Sequence, residues 1–365
     1  MIVLEELAYD IWLSQLPGIG IRKIERILLA CGSAKECFNM KKKELEGIYG
    51  LSEKDVESII SGRKNIDVER FLRELERTDT KVVKKGEGEY PKALLDITDP
   101  PYLLFVRGKL PDPGKSAVAI VGARQCSEYG KAMARTPARA LAEAGVTIIS
   151  GMASGIDALS HLGALDANGE TFAVLGSGPD ICYPNSSGNL YKRILLTGGV
   201  LSEYPPGTEP LSWHFPLRNR IISALCDAVI VVEARIRSGS LITADYALEQ
   251  GKDIYAFPGR ITDSLSGGTN RLIRQGAYPV VSVEDLLKDL RCGSSKIAEK
   301  TAVSKNTLAK DEMVVYSCLD FVPKNLERLI EETELPLPTL SGILFALQKK
   351  GLCEETFQNT YRRGY

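Results

Sequence analysis

Residues 117–157 read AVAIVGARQCSEYGKAMARTPARALAEAGVTIISGMASGID. The stretch opens with a continuous apolar run, and a helix-length segment at 128–144 separates this run from a second one at 146–150. Short apolar strands that alternate with helices are typical of a parallel sheet covered on both faces. We therefore predict a strand, helix and strand here, and we expect Pro137 to kink or split the helix.

The same alternation continues to residue 290 and defines the central domain. The further predicted strands are 171–176, 199–203, 228–234, 253–259 and 279–283, and the further predicted helices are 155–167, 215–226 and 241–250. Near-continuous hydrophobicity in these runs fits strands that are buried on both faces. The fold class expected for residues 81–290, including a lead-in segment before the first strand, is α/β with a doubly wound, mostly parallel, Rossmann-like sheet.

A small helical module is predicted at residues 1–80, where short amphipathic segments are separated by glycine-containing turns. Its turn at 16–20, followed by two basic residues, is similar to that of a helix-hairpin-helix or SAM-like module, whose glycine amides can hold a DNA phosphate. The alternative is a tight turn between packed helices in a protein-contact module, because a Gly-x-Gly turn also suits simple packing.

The C-terminal part is predicted to be a separate module on a flexible linker. Residues 291–309 are polar and rich in Ser, Thr and Lys, as flexible connectors are. Three helical segments follow near 311–319, 324–333 and 339–350, and then a strand-like tail. This order predicts a winged-helix module at 310–365.

The composition restricts the kind of protein. The 365 residues include 46 Lys and Arg against 47 Asp and Glu, so any nucleic-acid site must be a local patch on a nearly neutral protein. No apolar run approaches the roughly 18 residues needed to cross a bilayer. The N-terminal segment carries acids where a signal peptide carries bases, which favours a cytoplasmic location. The eight cysteines include no Cys-x-x-Cys pair, so we expect packed thiols.

Residues that can bind an anion follow four of the predicted strands, at the sheet edge where ligands bind in doubly wound folds. Glycine amides, hydroxyls, guanidiniums and helix N-termini come together at this edge, and the serine at 127 is placed to cap a helix. Aromatic rings at 213 and 215 could stack on bases, although burial is the alternative for both. The candidate DNA contacts are Gly122, Arg124, Ser127, Ser150, Gly151, Trp213, His214, Phe215, Arg218, Asn219, Arg220, Ser238, Gly239, Ser240 and Thr243.

The same turns lack the motifs of several enzyme classes. The sequence contains no P-loop, no complete dinucleotide fingerprint and no nucleophile elbow. Only His161 and His214 could serve a nucleophile or a metal, and we expect His161 to be packed within its helix and His214 to be a contact residue. We predict no catalytic residue, no metal and no cofactor, and hence a protein that is not an enzyme.

These motifs resemble the DNA-processing protein A family of bacteria, also called DprA or Smf. The resemblance implies a homodimeric single-stranded DNA-binding protein that protects incoming strands and loads the recombinase RecA in natural transformation, without an established catalytic activity. It rests on Tyr90-Pro91, Asp99-Pro100-Pro101, Arg107-Gly108, Val121-Gly122-Ala123-Arg124, Tyr129-Gly130, SGMASGIDALSH at 150–161, AVLGSGPDICYP at 173–184, Ser202-Glu203-Tyr204-Pro205, FPLRNRII at 215–222, SGSLITA at 238–244, Phe257-Pro258-Gly259, Asn270-Arg271-Leu272-Ile273 and Gly276-Ala277.

Three positions depart from the family's pattern. The family often has serine where this chain has Ala123, and threonine where it has Ser127, so one hydroxyl donor is lost and one is kept. Many relatives carry a lysine just ahead of the position of Phe215, where this chain reads Ser-Trp-His. The resemblance therefore implies a weaker electrostatic contribution to DNA binding at this turn.

Two other functions are considered. A Rossmann-like nucleoside monophosphate phosphoribohydrolase would use the same turns, but its Pro-Gly-Gly-x-Gly-Thr-x-x-Glu loop corresponds here to 238–243, which offers no glutamate at that spacing. A winged-helix transcriptional regulator would read DNA through the 339–350 helix. Against it, residues 310–365 have a net charge of −2, and that helix is basic only at its far end.

Overall fold

The computed structural model describes residues 2–65, 68–291, 309–320 and 323–364. Residues 292–308 of the predicted linker lie outside the described residues.

The N-terminal part forms a helical module around its own apolar core. Isoleucines on the second helix, at positions 21, 24 and 27, are buried at helical spacing and pack against the first helix. The six helices are α1 (Ile2–Ser14), α2 (Ile21–Cys31), α3 (Ala34–Asn39), α4 (Lys42–Glu46), α5 (Glu53–Gly62) and α6 (Val68–Arg77), with a 3-10 turn at Arg63–Asn65.

The glycine turn before α2 is fastened from inside the module. Gly18 has φ +79°, a left-handed conformation that favours glycine. The Lys23 ammonium donates to the Gly18 carbonyl at 2.9 Å and to the Asp55 carboxylate at 2.7 Å. These contacts use one of the two basic side chains expected at this turn to hold α2 against α5.

Two antiparallel strands join the helical module to the central sheet. They are β1 (Lys81–Lys84) and β2 (Leu103–Gly108), and a 3-10 turn at Lys92–Leu94 lies between them. Phe105 of β2 packs into the core of the helical module, whereas Leu104 packs into the core of the central domain. In α1, Asp10 accepts a hydrogen bond from the Tyr102 hydroxyl and pairs with Lys84 at 2.8 Å.

The central domain is a nine-stranded sheet in the order β1-β2-β6-β5-β4-β3-β7-β8-β9. In the part of this order that begins with β6 and ends with β9, every two adjacent strands are parallel, and β3 lies between β4 and β7. The chain therefore reverses its direction of travel across the sheet at β3. The strands are β3 (Ala117–Val121), β4 (Thr147–Ser150), β5 (Thr171–Leu175), β6 (Gly199–Ser202), β7 (Ala228–Val231), β8 (Asp253–Ala256) and β9 (Tyr278–Pro279).

Helices cover both faces of this sheet, so the doubly wound, mostly parallel α/β fold is confirmed. They are α7 (Glu128–Glu143), α8 (Ile156–Asp166), α9 (Gly188–Thr197), α10 (His214–Ala224), α11 (Gly239–Glu249), α12 (Gly267–Arg274) and α13 (Val283–Asp289), and a 3-10 turn at Asn185–Ser187 precedes α9.

Two local features differ from the expectations. Of the kink or split expected at Pro137, the split does not occur: α7 continues through this residue as one element, and Pro137 is buried on the same face as Ala134 and Ala138. The last strand ends at Pro279 and does not extend to 283. Its proline lacks an N–H to donate, and Ser282 instead caps α13 by accepting a hydrogen bond from the Asp285 amide.

The C-terminal module has its own small core, in which Val315, Leu329, Leu340 and Leu344 are buried. Three strands form an antiparallel sheet in the order β10-β12-β11 beside three helices. The elements are α14 (Lys310–Cys318), β10 (Lys324–Asn325), α15 (Leu326–Thr333), α16 (Leu337–Lys349), β11 (Cys353–Phe357) and β12 (Thr360–Arg363).

Candidate nucleic-acid interface

A cavity of about 350 Å³ opens at the carboxyl ends of β3 and β7. These two strands are neighbours, and the chain winds outward from β3 in opposite directions, so the cavity lies at the topological switch point of the sheet. The predicted contact residues that line it are Gly122, Arg124, Phe215, Arg218, Asn219, Ser238, Gly239, Ser240 and Thr243.

An exposed guanidinium and two aromatic rings form the mouth of the cavity. The Arg124 guanidinium lies over the Phe215 ring, 5.3 Å from its centroid, and the Arg124 side chain is exposed to solvent. The Tyr183 ring lies 5.4 Å from the Phe215 ring, at an angle of 35°. Because Phe215 is only half-buried, this group can offer both a cation and an aromatic surface to a ligand.

A buried carboxylate lies at the back of the cavity. Asp157 is 7% exposed, and the backbone amides of Ala153, Gly151 and Gly122 lie near its carboxyl. Burial raises the pKa of Asp157 to about 6, although the nearby Arg218 guanidinium and these amides favour the ionised form. The backbone amides of Gly122 and Gly151, which we expected to bind a DNA phosphate, therefore already lie near a carboxylate of the protein.

Arg218 is the cation that faces this carboxylate, and it is fixed in the wall of the cavity. It is 4% exposed and donates to the carbonyl oxygens of Gly151 and Val174. Burial lowers its pKa to about 10, and the charge of Asp157 opposes that shift. Arg218 contributes positive charge to the cavity, while its Nη1 donates to the strand ends and its Nε donates to the Asn219 side-chain oxygen.

Hydroxyl groups form the wall opposite Arg124, at the start of α11. The Ser238 hydroxyl caps this helix by accepting a hydrogen bond from the Ser240 amide, and the two serine hydroxyls are 2.8 Å apart. Asn219 holds the turn against α10 by donating to the Gly239 carbonyl at 3.1 Å. The turn thus presents two hydroxyls beside a helix N-terminus, which is a favourable place for an anion.

Two serines of the predicted set are used within the sheet and do not line the cavity. The Ser127 hydroxyl caps α7 as expected, accepting from the Gly130 amide at 3.0 Å, and it also donates to the carboxylate of Glu233. The Ser150 hydroxyl donates to the Ile120 carbonyl at 2.6 Å in the fully buried sheet. Neither hydroxyl is oriented toward a ligand.

His214 and Arg220 are also directed into the protein. His214 is buried, bonds the Gly176 carbonyl through Nδ1 at 3.0 Å and stacks on the Tyr204 ring at 3.8 Å. Burial lowers its pKa. Arg220 holds the Glu203 carboxylate with two hydrogen bonds of 3.1 and 2.6 Å. The expectation that these two side chains contact DNA does not fit their partners.

The remaining candidates are placed differently from one another. Trp213 is 58% exposed at the start of α10 but does not line the cavity, so it could reach only a strand that leaves the cavity on that side. Gly151 lies behind the guanidinium of Arg218, and a Cβ on this glycine would meet that group at 2.5 Å. His161 is packed inside the domain, and burial lowers its pKa to about 3.

The residues of the cavity and its mouth that sequence reasoning missed include the charged side chains of Asp157 and Arg237 and the ring of Tyr183. Asp157 and Arg237 line the cavity directly, and both stand in the same glycine-containing turns that supplied the other candidates. Their position in or next to those turns could therefore have identified both Asp157 and Arg237 as candidates. Tyr183 lies eight residues after β5 ends, and nothing in its local sequence indicates that its ring meets Phe215.

The described ranges contain no group of three or more His, Cys, Asp or Glu side chains arranged to hold a metal ion. Within the same ranges, no helix is both long enough and apolar enough to cross a bilayer.

The fold and the cavity define a class: a Rossmann-like α/β protein with a cationic and aromatic pocket at its switch point. Residues 81–291 match the family model described as DNA recombination-mediator protein A. The chain is also 34% identical over 356 residues to the Smf protein of a Synechocystis species, covering 94% of this chain and 88% of that one. The chain therefore belongs to the DNA-processing protein A family.

Solved structures of the family agree with this fold. DNA processing protein A from Streptococcus pneumoniae is 36% identical, with a TM-score of 0.67 over 78% of this chain and 97% of that one. The protein from Helicobacter pylori, whose structure was described for its single-stranded DNA binding mode, is 31% identical. Its TM-score is 0.52, over 58% of this chain and 95% of that one.

Proposed function

We propose that this chain is a cytoplasmic single-stranded DNA-binding protein and that the cavity at the switch point holds the strand. The observation that carries the proposal is the exposed Arg124 guanidinium over the half-buried Phe215 ring at the end of β3. Single strands are bound by cations that track the phosphates and by rings on which bases stack. The proposal is also supported by the relative from Helicobacter pylori, which binds single-stranded DNA.

Each part of the cavity has a distinct task in this proposal. Arg124 and Arg237 take backbone phosphates, because both guanidiniums are exposed and line the cavity. The hydroxyls of Ser238 and Ser240 donate to a phosphate oxygen at the helix N-terminus. A base stacks on the ring of Phe215. An unpaired base of a single strand can enter the pocket and stack on this ring, whereas a base that is paired in a duplex cannot reach it.

The alternatives receive less support from the site. A phosphoribohydrolase needs an accessible carboxylate near the 238–243 turn. Asp157, which lines the cavity, is only 7% exposed, and Glu233 is 5% exposed and hydrogen-bonded to Ser127. A transcriptional regulator needs a basic recognition helix, and α16 carries its basic residue only in the last turn. We accordingly propose a protein that acts on DNA without catalysis and without a cofactor.

The binding mode is tested by salt dependence. We expect affinity for an oligothymidylate to exceed that for a duplex of equal length, and to fall with salt by a slope of about 0.7 per phosphate contact. Fluorescence anisotropy at several salt concentrations measures both quantities. A salt-independent affinity or a preference for duplex contradicts the proposal.

Replacing Arg124 tests which end of the sheet binds the strand. We expect Arg124→Ala to weaken oligothymidylate binding by about 1.5 to 3 kcal/mol, the scale of a hydrogen bond to a charged group, or about ten- to hundredfold. Its stability should stay within about 0.5 kcal/mol of wild type, because the side chain is exposed. Parallel titrations at one salt concentration, with urea unfolding of each protein, give both values.

Two further proteins serve as controls for that experiment. Arg220→Met leaves the Glu203 carboxylate without its partner and should cost about 3 to 5 kcal/mol of stability, while the folded variant keeps Arg124 and its affinity. Deletion of residues 310–365 should leave affinity within severalfold. If the deletion abolishes binding and Arg124→Ala does not, the site belongs to the C-terminal module.

We also propose that the bound strand is passed to the recombinase RecA, as the resemblance to the family implies. Membership of a family described as recombination mediators supports this step. The assay is RecA filament formation on single-stranded DNA already covered by a single-strand binding protein. The chain should shorten the lag before filament growth, and Arg124→Ala should restore the lag; an unchanged lag with wild type contradicts the step.

A homodimer formed through the central domain is the last part of the proposal. Apolar side chains are exposed where the sheet ends at β9, including Tyr278 at 53% and Val281 at 74%. Exposed apolar groups beside an edge strand favour association with a second copy. Light scattering of the full chain at micromolar concentration should give twice 39.9 kDa, and Val281→Lys should reduce it. A wild-type monomer contradicts the dimer.

A further inference from the structure

The buried carboxylate of Asp157 has no evident use in a site for anions. It lines the cavity with Arg124, Arg218 and Arg237 at the place where a phosphate is proposed to bind. A negative charge there repels a phosphate, and at 7% exposure it is poorly screened by solvent. It is enclosed beside the Arg218 guanidinium and close to the backbone amides of Gly122 and Gly151, so it lacks the freedom of a surface side chain.

The groups that face Asp157 come from several elements. Arg218 on α10 is its cationic neighbour, and Arg124 and Arg237 lie in the turns after β3 and β7. On its own helix, His161 is one turn further along and is neutral, because burial lowers its pKa to about 3.

The other charged side chains packed against α8 are balanced at its far end. Asp166 there pairs with Arg135 of α7 at 2.6 Å and lies 3.7 Å from Arg193 of α9. Asp166 stands nine residues, or about two and a half helical turns, along α8 from Asp157, and its two basic partners lie beside it. They do not enter the charge balance of the cavity.

We propose that Asp157 makes strand binding proton-linked: when a DNA phosphate enters the cavity, the Asp157 carboxyl takes up a proton. The inference rests on the proposed function and concerns the same cavity. The carboxylate accepts one proton from solvent, and no other bond forms or breaks. Protonation removes the only negative side chain among the cavity-lining residues.

The direction of the effect follows from electrostatics. Burial already raises the pKa of Asp157 to about 6, and a bound phosphate raises it further because a second negative charge disfavours the ionised form. The protonated protein therefore binds the strand more tightly than the ionised protein does. Affinity should rise as the pH falls from about 7.5 to about 5.5.

No other side chain type obscures this window. The chain contains only two histidines, and burial lowers the pKa of both His161 and His214. Thymine bases and phosphodiesters do not titrate between pH 5 and 8. A pH-dependent affinity for oligothymidylate therefore reports a carboxyl group with a raised pKa.

The first experiment measures wild-type affinity for oligothymidylate at constant ionic strength from pH 7.5 to pH 5.5. If the strand raises the pKa by about one unit, affinity should increase about fivefold. Asp157→Asn, which resembles the protonated acid, should bind about tenfold more tightly than wild type at pH 7.5 and show a flat profile. A structural role alone predicts the opposite, a loss of affinity in the variant.

Asp311→Asn is the matched control, because it makes the same chemical change at an exposed position of the C-terminal module. It should keep both the wild-type affinity and the wild-type pH profile. If Asp157→Asn binds with the wild-type pH dependence, another group carries the effect and the inference is overturned.

A second measurement needs no variant and remains decisive if Asp157→Asn does not fold. Calorimetric titration of wild type at pH 6.5 in two buffers with different ionisation enthalpies gives the number of protons taken up on binding. We expect an uptake of a few tenths of a proton, and zero uptake overturns the inference. Strand binding that is tight but independent of pH refutes the proton linkage alone, whereas absence of strand binding at every pH refutes the proposed function itself.

Discussion

The guanidinium of Arg218 is the constraint on which the cavity depends. It donates to the Gly151 carbonyl after β4 and to the Val174 carbonyl in β5, and it faces Asp157 at the start of α8. A single side chain on α10 thereby fixes the relative positions of two strand ends and one helix N-terminus. The exposed groups of the mouth, Arg124 and Phe215, are supported on this frame, since Arg218 also lies 5.9 Å from the Phe215 ring centroid.

A nearly neutral protein can present a local cationic site because many of its other charged side chains are held in ion pairs. Arg220 with Glu203, and Arg135 with Asp166, are ion pairs that contribute nothing to the field in the cavity. Among the residues that the structure describes, Arg124 has no acidic partner within 4 Å, and its guanidinium lies over an aromatic ring. Local arrangement, and not the net charge of −1, decides whether a surface attracts DNA.

The parallel sheet and the edge that carries the cavity could be predicted from sequence, because apolar runs that end in glycine turns and alternate with helices are typical of a doubly wound fold. The direction of individual side chains could not. Arg218 and Arg220 stand two residues apart at one helix start, and two residues on a helix differ by about 200°, so one faces the cavity and the other faces Glu203. The residue types alone do not show which of the two side chains points toward the cavity.

The two antiparallel strands were also beyond sequence reasoning. β1 and β2 are short, and their pairing joins residues about twenty positions apart without a tight hairpin turn between them. Asp157 was missed for a different reason. The sequence shows that it follows a glycine-containing turn, but a carboxylate at the start of a helix is usually solvated, and only the three-dimensional structure shows that it is buried near amides and a guanidinium.

The two faces of β2 bear on how the molecule unfolds. Phe105 belongs to the core of the helical module and Leu104 belongs to the core of the central domain, so one strand contributes side chains to both cores. Loss of the helices would leave the apolar side chains of Val82, Leu103 and Phe105 open to water, which favours aggregation. The family model begins at residue 81, yet the side-chain contacts of β1 and of the residue before β2 extend back to α1. The helical module is therefore a cover for one end of the sheet as well as an appendage, and a fragment cut at 81 would expose Tyr102, Leu103 and Phe105.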